Sequence, residues 1–177
     1  SLFQIFAEQI LGLQDQFGHQ ILWVIQTSGA NHSDTLDFFR QKEWFGLDEE
    51  QVRLFSQGTL PALLEDKSLS VDSDGALVCL PDGHGGVYRA LSKKGIIDWL
   101  EAAGVEHVYY FQVDNPLSIL ADPQFMGYHA MQGSEMSTMV IKKRAPEERV
   151  GVLAFDDNVL RVIEYSEIDP TLAAMRD

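Results

Sequence analysis

Cysteine occurs only once in the sequence, as Cys79. A single cysteine excludes an internal disulfide, and because it lies in the apolar run 76–80 we expect a small core residue in a reducing compartment. No run of about 20 apolar residues and no signal-peptide pattern is visible. The sequence therefore predicts a soluble, cytoplasmic protein.

Basic residues are scarce: 13 Lys and Arg stand against 27 Asp and Glu, a net charge of −14 at pH 7. Nucleic acids and anionic membrane surfaces both require basic patches, so this balance argues against either as a partner. A phosphate-bearing ligand would have to find its positive charge in local lysines, helix ends or a metal ion.

The 177 residues are 45% hydrophobic and carry no repeat, so we expect a single domain over residues 1–177. Apolar periodicity predicts helices over residues 1–14, 33–41 (with Ser33 as N-cap), 87–95, 96–104 and 121–133. Strands are predicted over residues 21–29, 52–57, 105–115, 137–144, 151–157 and 159–167, with a hairpin over 69–80. This alternation predicts a three-layer α/β fold with a mixed, largely parallel sheet.

Unusual polar groups and glycines follow three of the predicted strands. Gln57 ends one strand, Asp114 ends another, and residues 82–86 form a glycine-rich loop after Leu80. Open α/β sheets bind ligands at these carboxyl ends. Asp114 is either a turn residue or a ligand of Mg²⁺, which takes one or two carboxylates plus phosphates. The loop is neither a dinucleotide fingerprint nor a P-loop, so it is either a turn or a place of close backbone approach to a ligand.

Five segments together resemble a known family: FSQGTLPAL, PDGHGGVYRAL, QVDNPLSILADPQFMGYH, KKRAPEERVGVL and VIEYSEI. In order and spacing they are similar to the UDP-N-acetylhexosamine pyrophosphorylases of the UDP-sugar pyrophosphorylase family, over essentially the whole chain. The resemblance implies a Rossmann-like, glycosyltransferase-A-like α/β domain. It also implies a Mg²⁺-dependent enzyme that transfers a uridylyl group from UTP to N-acetylglucosamine 1-phosphate and releases pyrophosphate.

The resemblance implies ligand roles for seven residues: Gln57 on uracil, Gly83 on the base through its backbone, His84 toward the sugar phosphate, Asp114 at the metal and phosphates, and Gly151, Glu164 and Tyr165 on the sugar. An amide can donate and accept along one edge of uracil, and a carboxylate accepts paired sugar hydroxyls. The sugar phosphate would attack the α-phosphorus in line, so catalysis would rest on positioning and charge neutralisation.

The sequence departs from the family pattern in two respects. The phosphate-binding loop G-x-G-T-R-L-G is expected before Ser1, and further lysines and an asparagine are expected beyond Asp177. We therefore expect the chain to be the central part of a larger catalytic domain, inactive by itself. His84 stands where the acetylhexosamine enzymes usually carry Asn, which leaves glucose 1-phosphate or broad sugar specificity as an alternative. A non-catalytic nucleotide-binding module is an alternative of another class.

Overall fold

The computed structural model describes residues 1–157, 159–169 and 171, and divides into two compact units, Ser1–Phe125 and Met126–Asp177. In chain order the elements are α1 (Leu2–Phe17), β1 (Trp23–Thr27), α2 (His32–Gln41), β2 (Val52–Ser56), β3 (Thr59–Pro61), β4 (Cys79–Pro81), α3 (Val87–Lys93), α4 (Ile96–Ala102), α5 (Pro123–Gln132), β5 (Val152–Asp156) and β6 (Val159–Ile163). Short 3₁₀ turns lie at Glu43–Gly46, Glu49–Gln51 and His84–Gly86. The single-domain expectation for residues 1–177 stays a prediction.

A parallel strand pair lies at the centre of the first unit. β1 runs beside β2, with Trp23 opposite Val52 and Thr27 opposite Ser56. Neighbouring residues of β1 enter different apolar clusters, Trp23 and Ile25 one and Val24 the other. The first cluster includes buried side chains of α1 and α2, and the second includes those of α3 and α4. Helices therefore cover both faces of this strand pair.

An antiparallel arm connects the end of β2 to the glycine-rich loop. Thr59 pairs with Pro81 and Pro61 with Cys79. Farther out, the segment 69–71 pairs with both sides of the arm, through bridges from Leu63 to Leu69 and from Val71 to Leu77. The hairpin predicted over residues 69–80 is confirmed in part: Val71 pairs with Leu77 across a tip at Gly75, whose φ of 79° suits a residue without a Cβ, whereas Cys79 and Leu80 pair with β3. Because this arm lies outside both apolar clusters, Cys79 is exposed and its predicted burial is wrong.

The second unit contains an antiparallel hairpin, β5–β6, in which Val152 faces Ile163 and Asp156 faces Val159. The two strands and their pairing are as predicted, and Asn158 in the predicted turn lies outside the described residues. No described residue beyond Phe125 is classed as buried.

The predicted helices are confirmed with small shifts at their ends, whereas two predicted strands are wrong. Residues 105–115 and 137–144 pair with no strand among the residues that the structure describes. In the first segment the side-chain alternation of an extended chain remains: Tyr109 and Phe111 pack on the first cluster, while Tyr110 and Gln112 contact His84.

The predicted sheet is also only partly formed. The mixed helix and strand composition is confirmed, but the described strands form one parallel and two antiparallel pairs instead of a single, largely parallel sheet. Ser33 is not an N-cap, because α2 begins one residue earlier, at His32 after the capping residue Asn31. None of the helices in the described part of the chain is long and apolar enough to cross a membrane.

Candidate functional site

Residues 56–58, here called the Gln57 turn, link the carboxyl end of β2 to β3. The Gln57 backbone N–H donates to the Thr27 carbonyl oxygen at 2.8 Å, which extends the β1–β2 pairing by one residue. The Gln26 side-chain amide donates to Gln57 Oε1 at 3.3 Å. These contacts orient the half-buried carboxamide of Gln57 at the end of the parallel pair.

The glycine loop, residues 82–86, lies beside the Gln57 turn. The Asp82 N–H donates to the Gly58 carbonyl oxygen at 3.1 Å, and Gly58 directly follows Gln57. Gly83 has a φ of 71°, a conformation that favours glycine, and it turns the chain into the 3₁₀ turn ahead of α3. The structure thus brings Gln57 and Gly83 to neighbouring loops, as a shared ligand would require.

The Asp82 carboxylate lies between two glycines that approach it closely. A Cβ atom built on Gly58 or on Gly86 would overlap this carboxylate. Its Oδ1 atom is buried and has no hydrogen-bond partner. Asp82 therefore fills the space between the Gln57 turn and the start of α3.

His84 is held from the segment that precedes Asp114. Its Nδ1 lies 2.6 Å from the Tyr110 hydroxyl, and its Nε2 lies 3.5 Å from the Gln112 side-chain nitrogen. A neutral ring that carries its proton on Nδ1 fits both contacts, because Nδ1–H donates to Tyr110 while Nε2 accepts from the amide. The pKa of Tyr110 is raised above the usual value for tyrosine, mainly by partial burial and to a smaller extent by the nearby Tyr88. Tyr110 therefore stays a neutral hydroxyl beside the imidazole.

Asp114 lies in an exposed turn two residues beyond Gln112, where the Asn115 N–H donates to the Gln112 carbonyl oxygen at 3.2 Å. The described residues contain no group of three or more His, Cys, Asp or Glu side chains that could hold a metal ion. One exposed carboxylate fits an ion that takes most of its remaining ligands from phosphates and water, as Mg²⁺ does. The role of Asp114 as a ligand of Mg²⁺ stays a prediction.

Three predicted sugar-binding residues lie together in the second unit, at the open end of the β5–β6 hairpin. Gly151 precedes β5 and Glu164 follows β6, and a Cβ atom on Gly151 would lie 3.8 Å from Glu164 Oε1 and 3.2 Å from Val162 Cγ1. The Glu164 carbonyl oxygen accepts from the N–H groups of Glu167 and Ile168, and Tyr165 lies in the resulting turn. The hairpin therefore juxtaposes Gly151, Glu164 and Tyr165.

The sequence assigned no individual role to six residues that shape the site of the first unit: Gln26, Gly58, Asp82, Gly86, Tyr110 and Gln112. Asp82 and Gly86 lie within the segment PDGHGG, but no local pattern marks the Asp82 carboxylate as a group that packs between two glycines. Tyr110 and Gln112 lie in a predicted strand, and only tertiary structure shows that they contact His84.

Comparison with known proteins identifies the family. The sequence model of UTP–glucose-1-phosphate uridylyltransferase matches residues 1–176. The chain belongs to this family. It is 41% identical to the UDP-N-acetylglucosamine pyrophosphorylase of Saccharomyces cerevisiae, over 100% of the chain and 38% of that protein. It is 37% identical to the UDP-N-acetylhexosamine pyrophosphorylase-like protein 1 of Homo sapiens, over 99% of the chain and 36% of that protein.

Solved structures agree with the sequence comparison. The uridine diphosphate N-acetylglucosamine pyrophosphorylase of Trypanosoma brucei, solved in complex with an inhibitor, superposes with a TM-score of 0.87 at 30% identity. The superposition covers 95% of this chain and 36% of that one. The chain also spans only 36–38% of the length of the yeast and human relatives named above. The resemblance seen in the sequence is confirmed at the level of the family.

Proposed function

We propose that the protein is a uridylyltransferase, which forms UDP-N-acetylglucosamine and pyrophosphate from UTP and N-acetylglucosamine 1-phosphate in the cytoplasm. The observation that carries this proposal is the hydrogen bond from Asp82 to Gly58, which joins the Gln57 turn to the glycine loop in a chain of this family. The naming of the yeast relative at 41% identity supports N-acetylglucosamine as the sugar. The corresponding fold is a Rossmann-like, glycosyltransferase-A-like α/β domain, of which residues 1–177 form the central part.

The proposed roles follow the chemistry of each group. Gln57 hydrogen-bonds one edge of uracil, and the backbone of Gly83 contacts the same base from the adjacent loop. His84 lies toward the phosphate of the sugar, held by Tyr110. In the second unit, Glu164 accepts from sugar hydroxyls.

Asp114 would hold Mg²⁺ together with the phosphates of UTP. When bound, the ion neutralises charge on the phosphates. The carboxylate would thereby help to position the phosphates of UTP. Since the chain carries a net charge of −14, a divalent cation would also offset its repulsion of a triphosphate.

The test uses the full-length gene product with UTP, Mg²⁺ and N-acetylglucosamine 1-phosphate. We expect UDP-N-acetylglucosamine by mass spectrometry and one pyrophosphate per UDP-sugar in a coupled assay. A parallel reaction with glucose 1-phosphate measures sugar preference. Binding of UTP without product from any sugar phosphate would overturn the proposal in favour of a nucleotide-binding module.

A further inference from the structure

The side chain of Asp82 has no role in the proposed function, which uses only its backbone N–H. Its neighbours in the site are Gln57, which would contact the base from one loop, and Gly83, which would contact it from another. Recognition of one flat base by two loops requires their separation to be fixed to within about 0.5 Å. The two loops are joined by the Asp82 backbone N–H, at 3.1 Å from the Gly58 carbonyl oxygen, and by the Asp82 side chain.

The side chain acts by filling space. Its carboxylate lies where a Cβ atom of Gly58 or of Gly86 would be, so both glycines must lack a side chain for it to fit. Its Oδ1 is buried without a hydrogen-bond partner, an arrangement that normally destabilises a fold. The side chain thus holds its position through packing contacts with the two glycines, and an isosteric group without charge would keep them.

We infer that Asp82 is a positioning residue, which sets the separation of the Gln57 turn from the glycine loop and thereby the selection of uracil. This inference rests on the proposed uridylyl transfer. Asp82 itself makes no contact with the nucleotide in this arrangement and forms no bond during the reaction. Its main effect is on the base-binding step, because it packs against Gly58 beside Gln57, whereas His84 in the same loop is held separately by Tyr110 and Gln112.

The first experiment compares Asp82→Ala, Asp82→Asn and Asp82→Glu in the full-length protein. Asp82→Ala should raise the KM for UTP about tenfold and narrow the preference for UTP over CTP, with the KM for N-acetylglucosamine 1-phosphate within about twofold of wild type. Asp82→Asn keeps the shape and should restore the KM for UTP to within about twofold. Asp82→Glu adds a methylene to a filled space and should weaken UTP binding as Asp82→Ala does.

The glycines provide a second, independent experiment. Gly58→Ala should raise the KM for UTP in the wild-type background, but should add little in the Asp82→Ala background, where the clash is gone. Gly12→Ala is the matched control, because a Cβ at Gly12 meets no atom within 4 Å. The melting temperatures of the wild type, Asp82→Ala, Gly58→Ala and the double variant should show the same non-additivity. This readout needs no assay of activity.

The outcomes separate the two proposals. A wild-type protein that makes no UDP-sugar contradicts the proposed function, whereas the coupling in melting temperature still tests the packing. An active wild type with an unchanged UTP constant in Asp82→Ala overturns the positioning role. An equal rise in the KM for UTP in Asp82→Asn and Asp82→Ala would also overturn the positioning role, because the effect would then come from the lost charge and not from the lost packing. If Asp82→Ala does not fold, Asp82→Glu and Gly58→Ala decide, and unchanged UTP constants in both contradict the inference.

Discussion

Gln57 is the residue whose surroundings most directly predict a measurable selectivity. Its Oε1 accepts from Gln26 and its backbone is fixed by Thr27, so its amide has one orientation toward a ligand. Gln57→Ala should weaken UTP binding by about 1–3 kcal/mol, the cost of leaving a buried polar edge unpaired. Isothermal titration calorimetry of the full-length protein with UTP and with CTP measures this loss. It also measures the expected decrease in the ratio of the CTP to the UTP dissociation constant. Unchanged constants for both nucleotides would contradict the role of Gln57.

Asp114 gives a different prediction, because it is exposed and lies in a turn. Asp114→Asn keeps the shape but removes the charge, so kcat should fall by about 100-fold or more while the melting temperature stays within about 2 °C. The dependence of the rate on Mg²⁺ concentration should shift to higher values. Asp74→Asn, at the exposed tip of the hairpin arm, is the matched control. Near-normal activity would leave Asp114 as a turn residue.

His84 decides how far one loop residue controls the choice of sugar. We expect the wild type to prefer N-acetylglucosamine 1-phosphate to glucose 1-phosphate, and His84→Asn to change the ratio of kcat/KM by about 10- to 100-fold. Tyr110→Phe, which removes the hydroxyl 2.6 Å from Nδ1, should move the ratio in the same direction but less. An unchanged ratio in His84→Asn would show that His84 is not the discriminating residue.

At this scale the sequence singled out Gln57, Gly83 and His84 because short motifs carry them, and their ligand roles stay predictions. The sequence did not show which contacts hold these residues. The contacts of Asp82 with Gly58 and of Tyr110 with His84 join residues about 24 and 26 positions apart, and no local pattern encodes such contacts.

Among the elements, α2 contributes a fully buried aromatic side chain to the first apolar cluster. Phe39 is fully buried and its ring lies against those of Phe3, Trp23 and Phe45 at centroid distances of 4.9, 5.5 and 5.2 Å. Phe39→Ala should lower the free energy of unfolding by about 3–5 kcal/mol, measured by urea denaturation. Phe17→Ala, at a half-exposed position that ends α1, should cost much less. Equal losses would mean that this aromatic cluster is not the core.

Elements were predicted well where the signal is local and poorly where it depends on a partner. The helices α1, α3 and α4 follow from apolar periodicity and from glycines at their ends, such as Gly18, Gly95 and Gly104. Residues 105–115 have the apolar alternation of a strand, but a strand also needs a neighbour to complete its backbone hydrogen bonds. The sequence shows the apolar pattern of these residues but not whether a second strand lies beside them.

At the scale of the whole molecule, the two units differ in how much they bury. The first unit contains both apolar clusters, whereas none of the described residues beyond Phe125 is classed as buried. Backbone amides of β1 and β2 should therefore exchange with deuterium far more slowly than those of β5 and β6 in the 177-residue chain. Mass spectrometry of peptides from β1, β2, β5 and β6 measures their rates of deuterium uptake. Equal protection of the two pairs would contradict it.

The exposed position of Cys79 has a practical consequence. It is the single thiol among the 177 residues, and it lies on β4, three residues before Asp82. A maleimide fluorophore would therefore attach to this chain at one defined place, close to the glycine loop but outside both apolar clusters. If nucleotide binds beside the glycine loop as proposed, the emission of this fluorophore should change on binding, so that binding could be followed in real time.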